Sequence, residues 1–297
     1  MNIVMTGATA GIGRDAAMRL LARPGTRLIV GARGSGAPAP AGAETLPLDL
    51  ASLASARAFV AAVEAALGDT PIDALVLNAG GQRPHNGLRT PDGIEETFAA
   101  NHLSHYLIAR ALLPRLADGG RLVITTSDTH DPAEKAPVPP PRHGDAMKLA
   151  HPETDLPIET GATAGLRAYS SSKLANMLTV RALAALPQVA ARRLTVLAYN
   201  PGLTAGTGLV RHQPWAVRAL VWPLLPLLRP FVGFMNSLAA AGGALAALAT
   251  TEIPPPGRVY ASLRKGKLTW PDPSELACDD AVVARMWNDS AVLAGFA

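Results

Sequence analysis

Cysteine is almost missing from this sequence: Cys278 is the only one in 297 residues. A single thiol excludes an internal disulfide framework and fits a reducing compartment. Aromatic residues are 4% and charged residues 17% of the chain. No Lys/Arg run and no basic-aromatic stripe is present, so the net charge of +4 implies no nucleic-acid partner. Arginines and prolines interrupt every apolar stretch before it reaches the ~20 residues that cross a bilayer. Metal-ligand clusters are lacking too. His102 and His105 stand close together, but no carboxylate or cysteine accompanies them, so they read as packing or surface histidines. The first strand begins at Asn2, which leaves no room for a signal peptide. These absences together predict a cytoplasmic protein, with a peripheral contact to a membrane as the alternative.

What the chain does have is alternation. Short apolar runs at Asn2–Thr6, Arg27–Gly31, Leu46–Leu50, Ile72–Leu77, Arg121–Ser127, Leu194–Tyr199 and Arg258–Ser262 read as strands. Helical periodicity follows Gly13 and recurs at Ser52–Leu67, Pro91–Leu116, from Tyr169 to about Pro187, at Ser237–Thr250 and at Ser274–Leu293. Strands alternating with helices predict an α/β fold: a doubly wound, Rossmann-type, mostly parallel sheet of about seven strands. With no repeat and no composition break, residues 1–297 read as one domain.

The first strand runs into Thr6-Gly7-Ala8-Thr9-Ala10-Gly11-Ile12-Gly13 and then a helix. Such a turn lets the backbone approach a pyrophosphate with a helix N-terminus aimed at it. Thr6, Gly7, Gly11, Ile12 and Gly13 are therefore candidate dinucleotide contacts. Arg33 stands about twenty residues further on, where an acid would select the ribose 2′-hydroxyl of NAD(H). An arginine pairs instead with a 2′-phosphate, which favours NADP(H), and Arg14 is placed to assist. Asp49 is a candidate adenine contact. Asn78-Ala79-Gly80 and Pro201-Gly202, with Thr204, fall at the carboxyl edge of the sheet, where ligands of open α/β sheets bind.

Tyr169 and Lys173 lie one helical turn apart on one face. A free phenol titrates near ~10, and an adjacent ammonium favours the phenolate, so the pair suits proton exchange with an alcohol or carbonyl oxygen. Asn101 sits among apolar helical residues and needs a partner, because a buried unpaired amide costs ~1–3 kcal/mol. Ser127 closes a strand beside a long aperiodic insertion, 128–168. Residues 203–235 read as a lid over an apolar substrate; a membrane-surface contact and a buried or oligomer-facing segment are the other readings for their apolar part, Gln213–Met235.

In identity, order and placement, Thr6–Gly13, Asn78–Gly80, Asn101, Ser127, Tyr169/Lys173 and Pro201-Gly202 resemble the short-chain dehydrogenase/reductase family. Asn101-His102-Leu103-Ser104-His105 and Tyr169-Ser170-Ser171-Ser172-Lys173-Leu174-Ala175-Asn176 resemble its branch of retinol dehydrogenases, WW-domain oxidoreductases and protochlorophyllide reductases. So do the enlarged 128–168 segment and, more weakly, the Trp287…Ser290 tail. The sequence departs at Ser104, where the branch often has glycine, and at Tyr106, where it often has phenylalanine. Cys278 lies in the tail, away from the other motifs, which disfavours protochlorophyllide as substrate. The resemblance implies Tyr169 as proton donor or acceptor and Lys173 as holder of the nicotinamide ribose. It also implies Ser127 as the hydrogen-bond donor to the substrate oxygen and Asn101 as holder of a relay water. A homo-oligomer is implied as well. The expected activity is carbonyl reduction, or the reverse oxidation, on an apolar small molecule; C=C reduction and a non-catalytic dinucleotide sensor or scaffold are the alternatives.

Overall fold

The structure, a computed structural model, describes residues 1–204 and 235–296. β1 (Asn2–Thr6), β2 (Arg27–Ala32), β4 (Ile72–Leu77) and β6 (Thr195–Asn200) are apolar runs with both faces covered, as strands of a parallel sheet must be. With β3 (Glu44–Pro47), β5 (Leu116–Thr125), β9 (Tyr260–Arg264) and β10 (Lys267–Thr269) they form an eight-stranded sheet in the order β10-β9-β6-β5-β4-β1-β2-β3. All neighbours pair in parallel except β9 and β10. The chain winds outward from β1 to β3 and then crosses to β4, so the order reverses between β1 and β4. A crevice opens at the carboxyl ends there.

Helices cover both faces. On one side α1 (Gly11–Leu21) and the helix Leu238–Leu248 bury Ala16, Ala17, Leu20, Ala241 and Leu245 against the sheet. On the other, α2 (Leu53–Leu67), α4 (Ser104–Leu112), α6 (Gly161–Ala184) and the C-terminal helix Asp280–Leu293 enclose Phe59, Leu107, Leu174, Leu178 and Met286. Ser52 caps α2 by accepting from the Ser55 amide at 3.2 Å.

Several boundaries differ from the sequence reading, each for a local reason. The extra strand is β10, a three-residue partner of β9 across a tight turn in which Lys265 and Gly266 have φ 51 and 75. It is too short to show alternation. The helix expected from Pro91 begins at α3 (Glu96–Phe98), because the Glu95 carboxylate accepts from the Thr97 and Phe98 amides and caps it. A π-helical turn, Ala99–Leu103, then joins α3 to α4. β5 ends at Thr125, leaving Ser127 to cap the 3-10 turn Asp128–His130. Segment 128–168 is not bare loop: it holds that turn, α5 (Ala146–Ala150) and the first residues of α6. Asp279 splits the expected terminal helix by capping Asp280–Leu293. The expected lid lies outside the described residues except at its ends, where β7 (Leu203–Thr204) pairs in parallel with β8 (Met235–Asn236).

Candidate active site

The crevice contains a cavity of about 960 Å³. Gly7, Gly11, Ile12, Gly13, Arg33, Asp49, Asn78, Ala79, Gly80, Asn101, Ser127, Tyr169, Lys173, Pro201, Gly202 and Thr204 all line it. Thr6 stands behind the wall, fully buried. Its hydroxyl oxygen accepts from the Asn78 and Ala79 amides, both at 3.1 Å, and so ties the end of β1 to the turn after β4.

The glycine turn is built for close backbone contact. A Cβ on Gly13 would stand 1.9 Å from the Gly7 carbonyl oxygen. Asn78 staples the turn, donating to that same carbonyl at 3.2 Å and accepting from the Thr125 hydroxyl at 3.0 Å. Ala10 provides no side-chain cap for α1, and the first turn contains no acid. Its leading amides therefore remain available to an anion, with the positive end of the helix dipole behind them. Arg33 is exposed at the cavity edge, with no hydrogen bond or ion pair among the described residues. Arg14 does not line the cavity; it donates to the Pro38 carbonyl at 3.0 Å and braces the loop after Arg33. Asp49, beyond the end of β3, lines the same side and accepts from the Ala51 amide at 3.1 Å.

At the other side, α6 presents Tyr169 and Lys173. The Lys173 ammonium is 5.6 Å from the centre of the Tyr169 ring and donates to the Thr125 carbonyl at 3.1 Å. Burial lowers Lys173 to about 8. Tyr169 moves the other way: burial raises it above 10, the Asp128 charge adds to that, and a hydrogen bond with Ser127 opposes it. The expected lowering by the ammonium is therefore not what this geometry produces, and desolvation dominates. Ser127 donates to Asp128 Oδ1 at 3.1 Å and accepts from the Thr129 amide at 3.3 Å.

Asn101 is 1% exposed and has the partners its burial requires. Its Oδ1 accepts from the Gly81 amide at 2.9 Å, while Nδ2 donates to the Gly81 carbonyl at 2.8 Å and to Ser172 at 3.0 Å. One Oδ1 lone pair stays open next to the lysine: a Cβ on Gly80 would be 3.4 Å from Oδ1 and 3.3 Å from Lys173 Nζ.

Sequence reasoning passed over three participants. His105 contacts the Asn101 carbonyl through Nδ1 at 3.2 Å and Thr6 Oγ1 through Nε2 at 3.0 Å. A carbonyl only accepts, so Nδ1 bears the proton and Thr6 donates to Nε2. Burial lowers this ring to about 3 and keeps it neutral. Asn176 donates to the Asn101 and Thr125 carbonyls, both at 3.1 Å. Asp128 acts on both Ser127 and Tyr169. The signal for Asn176 was its place on the face of Lys173; for Asp128 there was none beyond its following Ser127.

Residues 1–136 match the family model described as short chain dehydrogenase. The chain is 33% identical over 312 residues to dehydrogenase/reductase SDR family member 13 of Bos taurus, covering 98% of this chain and 72% of that protein. It is 34% identical over 328 residues to protochlorophyllide reductase of Avena sativa, covering 99% and 100%. An uncharacterised protein of Mycobacterium paratuberculosis has a like structure, with a TM-score of 0.68 at 25% identity over 99% of this chain and 93% of that one. On that identity and span, with the crevice as described, the chain belongs to the short-chain dehydrogenase/reductase family.

Proposed function

We propose that the protein is an NADP(H)-dependent oxidoreductase that reduces a carbonyl, or oxidises the matching alcohol, on an apolar small molecule. The observation that carries this reading is that Ser127, Tyr169 and Lys173 meet in one cavity with a glycine turn and an uncapped helix N-terminus. The residues suit a phosphorylated dinucleotide. Gly7, Gly11 and Gly13 would line the pyrophosphate, Asn78, Ala79 and Asp49 the adenosine side, and Arg33 the 2′-phosphate. NAD(H) would leave that arginine without its anion. Lys173 would hold the nicotinamide ribose, with Thr6, Ile12, Pro201, Gly202 and Thr204 shaping the surrounding backbone. When bound, the nicotinamide supplies or accepts the hydride.

The chain's own groups handle the proton. Tyr169 exchanges it with the substrate oxygen, and Ser127 hydrogen-bonds that oxygen where negative charge develops. To donate there Ser127 must turn from Asp128. The open lone pair of Asn101 Oδ1 suits a water through which Lys173 exchanges protons with solvent. Ala136, Pro137, Val138, Leu203 and Leu263 supply apolar wall for the substrate. Cys278 is exposed and is not among the lining residues, which supports leaving protochlorophyllide aside. No helix among the described residues is long and apolar enough to cross a membrane.

Tyr169→Phe tests the assignment. Turnover is expected to fall by about 10²–10⁴-fold while NADPH still binds; unchanged turnover would remove Tyr169 from the chemistry. A screen of short polar and long apolar carbonyl compounds, with NADPH and NADH side by side, tests the substrate. Preference for the polar set would count against the apolar assignment, and a wild type that binds NADPH but turns over nothing would favour the sensor reading.

A further inference from the structure

One run of buried polar groups is left over by that chemistry, and it connects the C-terminal helix to the lysine. Ser290 Oγ lies 3.0 Å from His102 Nε2, His102 Nδ1 lies 3.3 Å from Asn176 Oδ1, and Asn176 Nδ2 reaches the Thr125 and Asn101 carbonyls. Ser290 and His102 are 0% exposed and Asn176 is 1%. The directions of these bonds follow from the carbonyls. Both can only accept, so Asn176 must present its NH₂ to them and its oxygen to His102. His102 then bears its proton on Nδ1, and Ser290 donates to Nε2. Met286 Sδ, 3.5 Å from the same hydroxyl, is the weaker acceptor.

The Thr125 carbonyl lies just past the last β4–β5 pair, Leu77↔Ile124, and accepts from both Lys173 and Asn176. A carbonyl oxygen has two lone pairs, and here the ammonium and Asn176 fill them between them. We propose that Asn176, oriented by His102 and Ser290, is a positioning residue for Lys173. It holds and shares the carbonyl to which the ammonium makes its main-chain bond, while the other two N–H groups of the ammonium are left for the cavity. This rests on the role given to Lys173 above.

Among the described residues, the titratable groups around Lys173 are few. Tyr169 is on its own helix, His102 and His105 are on the facing segment, and Asp128 beyond β5 acts through Tyr169. Burial keeps both histidines neutral. None of these would change charge in the variants below, so a moved lysine titration reports the Thr125 carbonyl.

The test reads Lys173 directly, without turnover. Competitive acylation of its amine across a pH series, followed by peptide mass spectrometry, gives its titration midpoint in the cofactor-free protein. Asn176→Leu leaves the Thr125 carbonyl to the ammonium alone, which favours the charged form, so the midpoint is expected to rise by roughly one pH unit. Ser290→Ala, which releases His102 alone, is expected to give a smaller rise that Ser290→Thr reverses. If both variants fold by circular dichroism and the midpoint stays at the wild-type value, the proposal is overturned. If Asn176→Leu does not fold, the Ser290 pair decides by the same criterion. Because the wild-type midpoint is measurable with or without activity, an inactive protein would sink the proposed function without touching this result.

Discussion

On the proposed function, single side chains decide two questions, which phosphate is read and at what pH the phenol works. Arg33 is exposed at the cavity edge with no partner among the described residues, so on the proposed function its charge is left for a ligand. Arg33→Ala is expected to weaken NADPH binding by about 10- to 100-fold, from the loss of a charge-assisted contact, and to leave NADH binding nearly unchanged. Paired fluorescence titrations would check it. Asp128 is the second case. Its charge raises the Tyr169 phenol, so Asp128→Asn brings the phenol down toward its ordinary value. Reduction uses the protonated phenol. The alkaline loss of reductive activity should therefore begin at lower pH in this variant, and a pH profile of kcat/KM would show it. The residues named for the cavity from motifs line it except Thr6, whose hydroxyl organises the turn from behind, and Arg14, which braces the loop after Arg33. Composition and spacing identify the residues but not their partners. Asn78 is a staple and Arg14 a brace because of atoms brought from distant parts of the chain.

At the level of elements, regular pieces were legible and interrupted ones were not. β1 and β4 have the bounds read from the sequence, and α2 begins after the Ser52 cap, since continuous apolar runs and a serine cap are local signals. The π-helical turn at Ala99–Leu103 left no such mark. It sits where Asn101 must meet Gly81 and Ser172, so tertiary partners and not propensity explain it. The terminal helix is likewise held by long-range contacts. The Tyr106 hydroxyl donates to the Trp287 carbonyl at 2.8 Å, the two rings meet edge-on at 5.0 Å, and Arg110 lies 5.1 Å from the Trp287 ring and 4.4 Å from that of Phe296. Trp287→Ala, at a half-buried site, is expected to cost about 2–3 kcal/mol in chemical denaturation. Because Ser290 is on the same helix, this variant should also raise the Lys173 acylation midpoint.

For the molecule as a whole, the buried histidines set how it meets acid. His102 and His105 are held at about 4 and about 3, below the ordinary 6.5, mainly by burial. The unfolded chain therefore binds two protons between pH 6.5 and 4 that the folded chain refuses, and stability falls as the pH falls through that window. Glu95 opposes this. Burial raises it to about 7 from 4.5, so the folded chain gains one proton earlier than the unfolded chain does. His130, also lowered by burial, adds to the histidine side, so the balance disfavours the folded chain below about pH 6.5, and more strongly once the Glu95 carboxyl of the unfolded chain protonates as well, near 4.5. Thermal melts across this range should show a gentle decline that steepens below about 4.5. A flat profile would mean that the histidines are not sealed from water.

The pairing of β7 with β8 has a consequence for how this scaffold changes. Leu203 and Thr204 lie beside Met235 and Asn236, and Asn236 also donates to the carbonyls of Pro201 at 2.9 Å and Leu263 at 2.7 Å. The two short strands thus bolt Leu203 and Thr204, which line the cavity, to Met235, Asn236 and the edge of the main sheet. On the proposed function, a change at these posts would reshape the cavity wall while Ser127, Tyr169 and Lys173 kept their own supports, so selectivity and chemistry could evolve on separate clocks.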